Sequence, residues 1–109
     1  MILDIDERDG WVVVATRGEV DLQHAPRLRK ALTDSLLGGR GVIVDLSPVT
    51  FIDSSGIAAL IEAYQMARTG GNAFILAAPS APARRVLKLA RLDTVFAIAD
   101  SVTAATEGP

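Results

Sequence analysis

Cysteine is missing from this chain of 109 residues. Disulfides and thiolate metal sites are therefore excluded, a usage that fits a reducing compartment. Histidine is nearly missing too, since His24 is the only one. A surplus of positive charge is also lacking: the net charge is -2 and the isoelectric point is near 5.2. That leaves no electrostatic footprint for direct nucleic-acid binding. No apolar run approaches the roughly 18 residues that span a bilayer, and Asp4 interrupts Met1-Ile2-Leu3 too early for a signal peptide. The expectation is a soluble cytoplasmic protein with no membrane partner. Its length suits a single domain over residues 1–109, with a core that needs no staples.

What is present is apolar patterning, rich in alanine, that suits close packing of helices on a sheet. Ile2 to Asp6 alternates apolar and polar, Asp9-Gly10 signals a turn, and Trp11 to Thr16 comes next, so these segments read as a hairpin. Gly18-Glu19-Val20-Asp21 then reads as leaving the strand, with Asp21 capping the helical segment after it. From Ala25, Leu28, Ala31, Leu32 and Leu36 recur at helical spacing until Gly38-Gly39. Val42 to Leu46 is an unbroken β-branched run, the mark of a buried central strand, and Ser47-Pro48 breaks it.

A second helix begins after Gly56, with Ile57, Leu60, Ile61 and Tyr64 as its core stripe and Glu62, Gln65 and Arg68 outward. Gly70-Gly71 ends it, and Asn72 to Ala78 reads as another buried strand. Pro79 to Pro82 opens a third helix, with Ala83, Val86, Leu87, Leu89 and Ala90 on one face. Arg84, Lys88 and Arg91 form its opposite face, read as solvated. Val95 to Ala99 is a short last strand, and the tail from Asp100 is either a weak helix or a frayed end. The order is β-β-α-β-α-β-α-β, an α/β fold with helices packed on a mixed sheet. Right-handed crossovers place those helices on one side, with the turns after Arg17 and Leu46 at a common edge.

Asp53-Ser54-Ser55-Gly56 stands where a loop turns into a helix. The first N–H groups of a helix lack intrahelical partners, and the dipole puts partial positive charge there, so that point favours an anion. Asp53 supplies one as a cap; a phosphorylated serine would supply another. Gly56 is less expected, because glycine in a first turn costs about 1 kcal/mol against alanine. Its missing side chain is expected to leave the neighbouring hydroxyl open to a partner.

Catalytic constellations are incomplete. Acyl-transfer chemistry needs a nucleophile, a base and a group that orients the base. His24 sits beside a predicted helix start, and neither serine lies in a Gly-x-Ser-x-Gly elbow. Asp45 and Asp53 are separated by a proline-containing turn and lack metal-ligand spacing. Gly70-Gly71 comes after a helix and has no downstream Lys-Ser/Thr, so it is no phosphate loop. No enzyme activity, metal or cofactor is expected.

The run Asp45-Leu46-Ser47, Val49-Thr50-Phe51-Ile52-Asp53-Ser54-Ser55-Gly56-Ile57, preceded by Gly18-Glu19-Val20-Asp21, resembles the STAS domain of bacterial anti-sigma factor antagonists. The resemblance extends from about Trp11 to Ala99. It implies that Ser55 is phosphorylated by a cognate anti-sigma factor serine kinase, and that only the unphosphorylated form captures that kinase and releases sigma. A phosphatase would restore binding. Glu19, Asp21, Asp53, Ser54, Gly56 and Ile57 are the implied partner contacts. One departure is Arg91 before Leu92, where the family usually has glycine or another small residue. Ser54 as the acceptor stays open, as does a scaffold or accessory role in a larger signalling or transport complex, with Ser55 only a helix cap. A small-molecule or nucleotide binder is a third reading.

Overall fold

A computed structural model describes residues 1–108. Strands β1 (Ile2–Arg8) and β2 (Trp11–Val20) form the expected antiparallel hairpin. Asp9 and Gly10 both have left-handed backbones, at φ 52° and 86°, as a two-residue turn matched to strand twist requires. β3 (Gly41–Asp45) pairs in parallel with the first half of β2 and lies at the sheet centre, where Val42, Ile43 and Val44 are wholly buried. β5 (Phe74–Ala77) pairs with β3, and β6 (Ala97–Ala99) pairs with β5, both parallel.

The chain around Gly18 and Ser47 differs from the sequence reading. β2 does not end at Thr16; it runs on to Val20 and pairs in parallel with a further strand, β4 (Val49–Ile52). Asp45 lies opposite Ala15, Val49 opposite Gly18 and Phe51 opposite Glu19, so β4 continues the lane of β3 with the register shifted by one residue before Gly18 and by another between Gly18 and Glu19. Ser47-Pro48 does break the strand, but the Gly18 N–H reaches the Pro48 carbonyl at 2.9 Å and pairing resumes. A four-residue strand after a proline carries too little pattern to be read from periodicity alone. The observed order is therefore β-β-α-β-β-α-β-α-β-α.

Helices α1 (Ala25–Leu37), α2 (Ser54–Gly70) and α3 (Ala81–Leu89) cover one face of the sheet. Leu28, Leu32, Leu60, Ala63, Ala83 and Leu87 pack there on Val12, Val14, Val42, Val44 and Leu76. The tail folds as a fourth helix, α4 (Val102–Thr106), which Ser101 caps by accepting from the Ala104 N–H. α4 lies on the opposite face, with Ala105 against Val13, Ile43, Ile75 and Ala77, so the helices do not all share one side. Within α3 the expected stripe is narrower than the sequence reading. Leu89 is 80% exposed, because a residue two positions after Leu87 lies about 200° around the helix, and Ala90 is exposed as the C-cap beyond the last turn. A 3₁₀ turn over Leu92–Thr94 links α3 to β6.

Candidate functional site

Three elements meet where β2, β4 and α2 converge. Val20 pairs with Ile52, and the Asp53 N–H donates to the Val20 carbonyl at 3.2 Å, so α2 starts hard against the end of β2. Asp53 is extended (φ -106°, ψ -172°) and its Oδ1 accepts from the N–H groups of Ser55 at 2.8 Å and Gly56 at 3.2 Å. It is the expected N-cap. The cap carboxylate thus already occupies the positive end of α2.

Gly56 has a different role from the one its sequence context suggested. It is buried, and a Cβ there would lie 2.7 Å from the Val20 carbonyl oxygen and from Ile52 Cγ1, and 2.8 Å from Val20 Cγ1. Glycine at this position lets the helix close on the strand pair; it presents nothing to a partner. Ile57 is likewise turned inward, at 8% exposure within the main core. Neither residue offers a contact surface in this conformation. Ser54, the first helical residue, is exposed, and Ser55 is half-buried. Among the described residues, neither serine side chain makes a hydrogen bond.

The acidic residues converge on this edge. Glu19 lies in the extended part of β2, opposite Phe51, and is exposed; it is a strand residue, not a loop residue. Asp21 comes directly after β2. Its Oδ1 accepts from the His24 N–H at 3.1 Å and lies 2.7 Å from His24 Nδ1, closing the turn before α1. His24 itself is the N-cap residue of α1 but makes no side-chain cap bond, so Asp21 stabilises the turn ahead of the helix. Some loss of solvent raises the Asp21 carboxyl pKa, but hydrogen bonds from the His24 side chain and backbone, with the ring's charge, hold it below its ordinary value of 3.8. Among the described residues Glu19 and Asp53 have no cationic partner. The single histidine is thus committed to Asp21 and bonded to neither serine.

Two apolar residues that sequence reasoning passed over belong here. Leu22, next to Asp21, is 75% exposed, and Phe51, beside the Val20–Ile52 pair, is 49% exposed. Phe51 was hidden because β4 was hidden. Singly exposed apolar residues are ordinary on a protein surface, but these two stand at the same edge as the serines. Three acids and two apolar residues therefore frame the two serines. No group of three or more His or carboxylate residues with metal-holding geometry occurs among the described residues. A groove of about 570 Å³ lies elsewhere, between the C-terminal ends of α1 and α2, lined by Leu36, Leu37, Gln65, Met66 and Asn72.

Comparison with known proteins places this edge in context. The family model for the STAS domain matches residues 3–105. A protein of Thermotoga maritima, named as a candidate anti-sigma factor antagonist, is 28% identical over 101 residues, covering 91% of this chain and 89% of that protein. The crystal structure of an anti-sigma factor antagonist from Mycobacterium paratuberculosis superposes with a TM-score of 0.86 at 27% identity, covering 94% of this chain and 87% of the other. The phosphorylated form of the Bacillus cell fate determinant SpoIIAA shares the fold, with a TM-score of 0.76 at 19% identity over 97% of each chain.

Proposed function

The chain belongs to the STAS domain family, and from that membership and the edge around Ser55 we propose that it is an anti-sigma factor antagonist. Unphosphorylated, it binds a cognate anti-sigma factor serine kinase and releases the sigma factor. Phosphorylation at Ser55 switches that binding off, and a phosphatase restores it. The chain is then a cytoplasmic regulator and a kinase's substrate, with no catalysis of its own. The observation that carries this reading is the half-buried Ser55 in the first turn of α2, framed by Glu19, Asp21, Asp53, Leu22 and Phe51.

The physics of the switch rests on the groups that already fill that turn. A phosphate adds about -1.5 to -2 charges at neutral pH. The Ser55 and Gly56 N–H groups that could receive it are held by Asp53. The phosphate is therefore left beside a carboxylate, on an edge that also carries Glu19 and Asp21. A partner packed over Leu22 and Phe51 would meet added bulk, uncompensated charge and the desolvation of both. A loss of about 3 kcal/mol, roughly a hundredfold in affinity, is enough to release it.

Intact-mass spectrometry after incubation with ATP and serine kinases of the source cell tests this reading. Parallel Ser54→Ala and Ser55→Ala proteins are needed, because Ser54 is the more exposed of the two hydroxyls. The expected result is one phosphate, lost only in Ser55→Ala, and a kinase complex weakened about a hundredfold by Ser55→Asp. A complex indifferent to both Ser55 substitutions, with no phosphate acquired, would instead support a scaffold or accessory subunit in which Ser55 is only part of a helix start.

A further inference from the structure

Some cations of this chain are paired and some are not, and Arg17 and Arg68 each stand singly without an ion pair among the described residues. Arg29 pairs with Glu62 at 2.8 Å, Lys30 with Asp34 at 2.9 Å and Arg40 with Glu7 at 2.6 Å. Arg84, Arg85, Lys88 and Arg91, all exposed, make no ion pair or side-chain hydrogen bond among the described residues. Arg84, Lys88 and Arg91 run along one ridge of α3 and its end, and Arg85 and Leu89 run along the adjacent ridge. Leu89, at 80% exposure, is therefore an apolar residue set among four cations.

Helix stability accounts for Lys88, which stands in the last turn where the dipole favours a cation, but not for the rest of this arrangement. α3 has no acidic residue in its first turn, and Arg84 closes that turn, where the helix dipole disfavours a cation. Arg84 and Lys88 are like charges four residues apart, a repulsive pairing. Arg91 has φ 58° and ψ 27°, a left-handed backbone that glycine adopts freely and arginine does not. Each departure keeps a cation on the outer face of α3 or at its end.

We infer that this face of α3 is a docking surface for an acidic protein segment that carries an apolar residue. Charge complementarity specifies the acid, and Leu89 specifies the apolar anchor. A nucleic acid fits less well, because the chain is acidic overall and the face has no aromatic residue for base stacking. A membrane fits less well, because interfacial helices bury a whole apolar face, whereas the apolar face of α3, Ala83 and Leu87, is already buried in the fold. The start of α3 packs on β4, but its C-terminal half is distinct from the Ser55 edge. The chain must return from the end of β5 to the start of the parallel β6, so Lys88 to Arg91 lie toward the sheet end away from the Val20–Ile52 pair.

The test uses the full chain, isotopically labelled for amide NMR, with a synthetic glutamate-rich peptide bearing one leucine. Saturable shifts centred on Arg84 to Leu92 are expected. Arg84→Glu/Lys88→Glu should weaken binding at least tenfold and Leu89→Ser several-fold, with the amide spectrum elsewhere unchanged. The inference is overturned if the shifts spread equally to Arg17, Arg29 and Arg68, or if a glutamine version of the peptide binds as well. Tighter binding to a DNA duplex or to phosphatidylserine vesicles would replace it with a nucleic-acid or a membrane surface. Ser55→Asp should leave this binding unchanged, which separates its outcome from that of the phosphorylation switch.

Discussion

The start of α2 and the end of α3 treat glycine in opposite ways. At Gly56 the backbone is ordinary for a helix and only the packing forbids a side chain, since a Cβ would meet Val20 and Ile52 within 2.8 Å. At Arg91 the packing is open and only the backbone favours glycine, yet an exposed arginine stands there. The first position shows a residue fixed by the fold; the second shows one kept against the fold's local preference. Fold and surface function can therefore be separated by substituting at these two ends.

The largest effect is expected from Gly56→Ala. Helix propensity alone predicts a gain of about 1 kcal/mol, whereas overpacking against a carbonyl and two side chains predicts a loss of roughly 2 to 3 kcal/mol. Thermal unfolding decides between them by sign, with a fall of roughly 10 °C or more expected for a domain of this size. A rise would mean that α2 is free to shift away from β2, and the contrast between the two ends would collapse.

Next comes the cap beside it. Asp53→Ala removes the acceptor for two N–H groups and should cost about 1 kcal/mol, while Asp53→Asn keeps a capping oxygen and should cost little. Chemical denaturation of the two variants checks this. Equal losses would place the value of Asp53 in its charge rather than in its hydrogen bonds. At the other end, Arg91→Gly should raise stability by about 1 kcal/mol, because a left-handed residue loses its Cβ clash, whereas Arg91→Ala should not. A gain in stability together with weaker binding of the acidic peptide would show what the strained arginine is kept for.

These two ends also show how far the sequence could be read. The α2 start was legible because Asp-Ser-Ser before an apolar stripe has one physical meaning as a cap, and because its neighbours resemble one family. The reason for Gly56 was not legible: its contacts come from Val20 and Ile52, and the latter lies in β4, a strand of four residues concealed by Pro48. With β4 unseen, Glu19 appeared to sit in a loop, and Phe51 did not appear as a surface residue at all. The hairpin, α1 and the central strand were legible because each repeats its pattern over several residues. Leu89 was misplaced against helical geometry itself, since it lies about 200° from Leu87 and cannot share that residue's face. The α4 helix, five residues on an alanine-rich tail, declares its face only through Ala105 meeting Val13 and Ile43.

The smallest expected effect lies at Asp21, and its sign is fixed by the His24 contact. The Asp21 carboxyl is held below its ordinary value of 3.8, so the folded protein binds this proton less readily than the unfolded chain. Its contribution to stability is complete above the unfolded value and is lost as pH falls through the folded one. Wild type and Asp21→Asn should therefore differ in Tm at about pH 6 and converge as the pH is lowered below about 3.8. The group is near solvent, so the difference should be small and should shrink further with added salt. A difference that grew on acidification would show that the His24 contact does not stabilise the ionised form, and that the turn entering α1 is held by its backbone bonds from His24 and Ala25 to the Asp21 carbonyl alone.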